Sequence, residues 1–372
     1  MNNTNMPQQL ATVDPQTVPD RALGQALEQV QRAIAAAADA NALQRASREI
    51  HALLQRAVEQ VPAAELLTRI LSTLNDALTQ RVIDICSAGA LPAALRWCWI
   101  SLGSEGRQEQ TLSSDQDNGI IFSGPAAPGE LRELLLPLAL RINQTLDACG
   151  FPLCRGQIMA SNPQWCLSLA EWRNQFSEWI IEGDPQALLN ASIFFDLRPL
   201  YGDQALAHEL ADWLALEATQ NSRFLFQMTA NALHREPPLG MLRKFVVEKS
   251  GPFAGAIDLK LNGATLFVDA ARIYGLACGS RASNTADRLR LAAQSQRLHP
   301  HDVDGWIEAF YFIQMLRLKN QHRNFTGLAQ MHNHVDPNRL EPAERGGLLD
   351  ALRKARTLQH RLALDYPGSQ GL

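Results

Sequence analysis

The sequence predicts an α+β fold: a small mixed sheet flanked by an N-terminal helical segment and a C-terminal helical bundle. Three observations carry this. Apolar residues recur at helical spacing through the first 90 positions and again beyond residue 204. Between these regions lie short apolar runs, LRWCWISL (95–102) and NGIIF (118–122), bounded by Gly, Ser and Pro, which read as buried strands. Aromatic content is low, at 6%, and Ala and Leu are abundant, which favours helix elsewhere.

A chain of 372 residues exceeds what one core usually serves, so several domains are expected. Residues 1–19 are polar and Pro-containing and read as a disordered tail. Residues 20–90 read as a helical region. Asp20 is a candidate N-cap before Leu23, Leu27, Val30 and Ile34. Leu43, Ile50, Leu54 and Val58 mark a second helix. Pro62 suits the first turn of a third, with Leu67, Ile70, Leu71, Leu74 and Leu78 on one face. Amphipathic stripes of this kind usually mean packing without chemistry.

Residues 91–203 form the second region. After the 95–102 and 118–122 strands, Ser123-Gly124-Pro125 ends the run. Residues 129–148 read as an amphipathic helix with Leu131, Leu134, Leu138 and Ile142 in register. Leu153–Ala160 reads as a third strand, and Asn162-Pro163 as the start of a helix containing Trp165, Leu169 and Trp172. Trp165, Trp172 and Trp179 are spaced by seven, which points to one core-facing side. The third region, 204–372, reads as helices over 204–233, 257–276, 303–318 and 342–364.

Charge and composition exclude several classes. The net charge of −4 with no basic stripe argues against a nucleic-acid binder. No apolar run reaches the ~20 residues of a membrane span, and the N-terminus lacks a signal-peptide pattern. Cys86, Cys98, Cys149, Cys154, Cys166 and Cys278 show no zinc-like pairing and read as reduced thiols in a cytoplasmic protein. His332-x-His334 reads as a surface loop pair rather than a metal site.

The chemistry concentrates in Leu102–Phe122, LGSEGRQEQTLSSDQDNGIIF. Asp115 and Asp117 are two apart, so on a strand both carboxylates face one space. Side by side they repel unless a cation sits between them. Mg²⁺ suits such a pair when substrate phosphates complete its shell. Gly103 permits close backbone approach, Ser104 adds a hydroxyl, and Arg107 offers a planar fork for phosphate. Glu105 and Glu109 flank the turn and read as solvent-facing.

In this order and spacing, Gly103-Ser104 and Asp115-x-Asp117 resemble the signature of the polymerase-beta-like nucleotidyltransferase superfamily. The fuller string resembles the N-terminal domain of PII uridylyltransferases, and more closely a related nucleotidyltransferase family with a C-terminal helical substrate-binding domain. MASNPQWCLSLAEWRNQFSEWI (159–180), FFDLRPLYGD (194–203) and GAIDLKLNGATLFVDAARIYGLA (255–277) extend that resemblance over about residues 60–330. It makes 91–203 the nucleotidyltransferase domain and 204–372 the substrate-binding domain.

The resemblance implies that Gly103 and Ser104 hold a nucleoside triphosphate and that Asp115 and Asp117 ligate Mg²⁺ (or Mn²⁺). A nucleoside monophosphate from ATP or UTP would pass to a protein (PII-like) or small-molecule acceptor, in signalling or regulation. The expected partners are a nucleoside triphosphate and that acceptor, with no nucleic acid and no membrane; a homodimer is left open. Active relatives carry a third carboxylate on a later strand. LCRGQIMA (153–160) has none, so Asp196 in IFFDLRP is the candidate. It is either delivered by a strand ending at Pro199 or paired at a helix end with Arg198 or another base. Asp258, Lys260 and Arg272 lie on the presumed substrate-binding helices. There they either meet nucleotide, the role assigned to Lys260, or form helix salt bridges. The CBS repeats often found beside such relatives have no room here, which leaves regulation to a partner or to the N-terminal helices. The alternative reading is a non-catalytic nucleotide sensor that keeps the pocket without turnover.

Overall fold

The computed structural model describes residues 11–18, 20–240, 244–324 and 331–367. It is α+β, with a small mixed sheet between helical segments. The chain divides into two compact units. The first comprises Met1–Val61, Leu66–Gln175 and Asp196–Ala211; the second comprises Pro62–Glu65, Phe176–Phe195 and Asp212–Leu372. Most of the expected tail, 1–10 and 19, lies outside the described residues. Pro15–Thr17 forms a short turn capped by Asp14.

The first unit begins with helices α1 (Arg21–Ala36), α2 (Ala40–Gln60) and most of α3 (Ala64–Ser87). Asp20 caps α1 by accepting from the Leu23 amide at 2.7 Å, and Asp39 caps α2 from Ala42 at 2.8 Å. The stripes read from the sequence are buried, with Ile34, Leu43, Leu74 and Leu78 fully inaccessible.

The sheet follows: β1 (Arg96–Ser101), β2 (Asn118–Ser123), β3 (Cys166–Ser168) and β4 (Arg198–Gly202), in the order β3-β2-β1-β4. β1 is antiparallel to β2 and β4, while β3 runs parallel to β2. Ser101 pairs with Asn118 on one side and Arg198 on the other. The end of β1 and the starts of β2 and β4 therefore meet at one edge of the sheet. Every functional candidate of this unit lies at that edge or on the loops beside it.

Leu153–Ala160 is not a strand. The Pro152 and Ile158 carbonyls accept from the Gln116 and Asn118 amides, at 3.0 and 3.2 Å. Between them the chain turns, and Gln157 takes φ +58°, so no ladder forms. The third strand is Cys166–Ser168 instead, followed by α6 (Leu169–Glu182). Trp165 precedes that helix and stacks on Trp172 at 6.2 Å. Trp172 fixes its own side chain by donating Nε1–H to the Ile120 carbonyl at 2.9 Å. α5 (Pro128–Ala148) covers the sheet with Leu131, Leu135, Leu138 and Ile142; Leu134 points to solvent.

The second unit is helical: α7 (Pro185–Phe194), α9 (Ser222–Leu233), α10 (Thr265–Ala277), α11 (Thr285–Gln294), α12 (Pro300–Arg323) and α13 (Pro342–Asp365). The expected single helix over 204–233 breaks between α8 (Gln204–Gln220) and α9. Asn221 turns its side chain onto the Phe224 amide at 2.9 Å and caps a new helix. The expected helix over 257–276 begins later, at Thr265. Ile257–Asp258 is a short strand, β5, paired with β6 (His334–Val335), and one π-helical turn, Lys260–Ala264, leads into α10. Among the described residues no helix is long and apolar enough to cross a membrane.

Candidate active site

The site grows out of the sheet edge. β1 ends at Ser101, and the chain enters one tight helical turn, α4 (Gly103–Gly106). The Leu102 amide donates to the Asp117 carbonyl at 2.9 Å, which carries the β1–β2 pairing one step further and brings the turn against the carboxylate pair. Gly103 has φ +52°, and a Cβ there would stand 2.8 Å from Asp117 Oδ2. Two independent constraints therefore demand glycine at this position.

Asp115 and Asp117 are not on a strand, since β2 begins at Asn118; they lie just ahead of it, and their neighbours fix them. Gln116 and Asn118 point into the protein and are 2% and 1% exposed. Gln116 Nε2 donates to the Asn143 and Phe151 carbonyls at 3.0 and 2.8 Å. Asn143 Nδ2 donates to Gln116 Oε1 and Asn118 Oδ1 at 2.7 and 3.0 Å. Asn118 Oδ1 also accepts from the Ala160 amide at 2.8 Å. With residues 116 and 118 anchored inward, Asp115 and Asp117 face the opposite side and keep contact with solvent.

A third side chain joins them. The ligand atoms of Asp115, Asp117 and Cys154 all lie within 4.8 Å of one another. Cys154 Sγ–H donates to Asp117 Oδ1 at 3.4 Å. Burial, then the Asp117 charge, pushes the Cys154 thiol up to about 11. The donor set fits a divalent cation: two carboxylates offer hard oxygens and the thiol a softer sulfur. In the sequence, Cys154 reads as one of six reduced thiols with no metal-like pairing, because nothing local ties it to Asp117, 37 positions away.

Asp196 takes a different place. It follows α7 and precedes β4 in the chain, is fully buried, and its Oδ2 accepts from Arg107 Nη1 at 2.6 Å. Arg107 Nε also donates to Glu109 at 2.8 Å. The guanidinium expected at a phosphate thus sits between two carboxylates inside the protein. Gly106 lies against this pair, since a Cβ there would overlap the Asp196 carbonyl. Arg198, named beforehand as a partner for Asp196, pairs instead with Asp76 of α3 at 2.8 Å.

Glu105 and Glu109 are not solvent-facing; they are 7% and 2% exposed. Burial pushes Glu105 up to about 8, with Asp76 and Asp117 adding to the rise while Ser101 and Arg198 oppose it. Ser101 Oγ–H donates to its Oε1 at 2.8 Å.

Ser104 lies in the turn itself, partly open, and its carbonyl accepts from the Glu109 amide at 2.9 Å. Lys260 belongs to the second unit. It is exposed at the start of the π-helical turn, and its amide donates to Asp258 Oδ1 at 2.8 Å. Arg272 is 2% exposed and paired with Asp269 at 2.7 Å, the salt-bridge alternative. His334 is not a surface loop residue: its ring stacks on Phe253 at 3.7 Å, and its Nε2 lies 3.1 Å from Glu248.

No curated protein matches the chain. Two family models do. One, described as "Putative nucleotidyltransferase DUF294", matches residues 48–186. The other, described as "Putative nucleotidyltransferase substrate binding domain", matches residues 222–366. The first covers the glycine-serine turn, the paired carboxylates and Cys154, the second Lys260 and the helices after it, and with both matched in this order the chain belongs to that nucleotidyltransferase family with its C-terminal substrate-binding domain.

Proposed function

We propose that the chain transfers a nucleoside monophosphate from ATP or UTP to a protein (PII-like) or small-molecule acceptor, releasing pyrophosphate. The observation that carries this reading is the trio Asp115, Asp117 and Cys154 beside a turn whose first glycine touches Asp117. Asp115 and Asp117 would hold Mg²⁺ or Mn²⁺, which when bound supplies charge neutralisation at the transferred phosphoryl group and its leaving pyrophosphate. Gly103 and Ser104 would hold the triphosphate, because the first amides of the turn have no intrahelical acceptor. The inward anchoring of Gln116 and Asn118 would keep both carboxylates aimed at one point throughout the reaction.

Arg107 contributes differently from the sequence expectation. With Glu109 and Asp196 already on its guanidinium, it would brace the chain after the turn rather than hold phosphate. Asp196, as an Arg107 partner, would act on the same support rather than on metal. Lys260 stands as a candidate for nucleotide or acceptor contact, on the strength of its exposure and its place in the matched segment.

The test is incubation with labelled ATP or UTP, Mg²⁺ or Mn²⁺ and candidate acceptors, reading pyrophosphate release. Activity that survives Asp115→Ala with Asp117→Ala overturns the site. A second reading, nucleotide sensing without turnover, is favoured by a specific observation: a thiol, Cys154, stands beside the pair, while the acid expected as the third carboxylate, Asp196, is held by Arg107. That reading predicts nucleotide binding with no pyrophosphate released.

A further inference from the structure

Helix α3 carries a polar stripe that the chemistry above does not use. Ser72, Asp76, Gln80 and Asp84 recur every four residues, with Asn75 three after Ser72 and beside Asp76, so they share one face. All but Asp84 are 7% exposed or less. Buried polar groups on a packed helix cost stability unless partnered, and each of these has a partner. Ser72 Oγ accepts from the Gln110 amide at 3.3 Å, and Asn75 Nδ2 donates to Gln110 Oε1 at 3.2 Å. Gln80 Nε2 donates to the Leu200 carbonyl at 3.0 Å, and Asp84 accepts from the Tyr201 hydroxyl at 2.7 Å. Asp76 Oδ1 accepts from Arg198 Nη2 at 2.8 Å, and Gln108 Nε2 lies 3.5 Å from its Oδ2.

All these partners fall on two short segments, 108–110 directly after the turn and 198–201 in β4. Arg198 closes the link. Its Nε donates to the Gly106 carbonyl at 3.3 Å and its Nη2 to the Glu105 carbonyl at 3.2 Å. One guanidinium thus joins a carboxylate of α3 to the last two peptide planes of a four-residue turn. The planar fork fixes those planes in a way that a point charge cannot. A pair serving stability alone could be replaced by apolar packing at little cost, but apolar side chains could not hold two backbone carbonyls.

We propose that Asp76 and Arg198 are positioning residues: through them helix α3 sets the conformation of Gly103–Gly106 and so the affinity for a nucleotide phosphate. This rests on the nucleotide-binding reading above. It gives the N-terminal helical region a direct physical connection to the site.

The test compares wild type, Asp76→Asn and Arg198→Lys. Calorimetry reads binding of ATP or UTP with Mg²⁺, Mn²⁺ alone is titrated separately, and near-ultraviolet circular dichroism checks the fold. Arg198→Lys keeps the charge and a partner for Asp76 while losing the fork, so it guards against loss of fold in Asp76→Asn. The expected result is nucleotide affinity weakened about tenfold or more in folded variants, with Mn²⁺ affinity near wild type, because Asp115 and Asp117 are untouched. Nucleotide affinity at the wild-type level in a folded Arg198→Lys protein overturns the proposal, whatever its melting temperature. A wild type that binds neither nucleotide overturns the proposed function itself, and this inference with it. That outcome is distinct from wild-type binding that the variants retain.

Discussion

Replacing Glu105 with Gln removes a carboxyl group that burial pushes from its ordinary 4.5 up to about 8. Between those values the folded protein keeps the proton and the unfolded chain releases it. The unfolded state then binds fewer protons, so wild-type stability falls as pH rises through that window. The slope is about 1.4 kcal/mol per pH unit. Taken over the interval from 4.5 to about 8, the ceiling is roughly 5 kcal/mol. Gln is isosteric, neutral in both states, and still accepts from Ser101 Oγ, so Glu105→Gln removes this slope. Asp76, which burial also raises, contributes a slope of the same sign that the variant retains. Urea unfolding at about pH 4.5, 6.5 and 8.5 reads the difference. The variant is expected to match wild type at the acid end and to gain a few kcal/mol on it at the alkaline end. Parallel profiles would mean that Glu105 is ionised in the fold, and the argument from burial fails.

Other perturbations reach the site by different routes. Gly103→Ala forces a side chain into φ +52° against Asp117 Oδ2; the backbone cost alone is about 1–2 kcal/mol, and metal titration should show the displaced carboxylate as weakened Mn²⁺ binding. Asp196→Ala leaves Arg107 short of one buried carboxylate and is expected to cost about 3–5 kcal/mol of stability in denaturant unfolding; a change under about 1 kcal/mol would contradict a structural pairing. Cys154→Ser should abolish any sulfur-to-cobalt absorption band when Co²⁺ is added, while Co²⁺-bound wild type should display one; a wild type without the band places the thiol outside the metal's shell.

What the sequence revealed here, and what it hid, divides by distance along the chain. Gly103-Ser104 and Asp115-x-Asp117 were legible because turn chemistry and the spacing of a carboxylate pair act over a few residues, although the pair lies just ahead of β2 rather than on a strand. The helical stripes of α1–α3 were legible for the same reason. Cys154 beside Asp117, Arg107 beside Asp196 and Arg198 beside Asp76 are contacts across 37, 89 and 122 positions, and no local pattern encodes them. Leu153–Ala160 read as a strand because its apolar residues suit one, yet the Pro152 and Ile158 carbonyls, which accept from residues 116 and 118, enclose a turn closed by the Gln157 amide on the Cys154 carbonyl. Ile257–Asp258 read as helix because its pairing partner, His334–Val335, lies far away in sequence. Asn221 was readable in principle: a capping residue within a helical stretch can end one helix and start another.

The central claim is that Asp115 and Asp117 hold a divalent cation together with a nucleotide. The most direct measurement is calorimetric titration of ATP and UTP into wild type and into Asp115→Asn with Asp117→Asn, each with and without Mg²⁺ or Mn²⁺. The account predicts metal-dependent binding of at least one nucleotide to wild type, and a loss of about a hundredfold or more in the double variant. Equal, metal-independent binding by both proteins would contradict it.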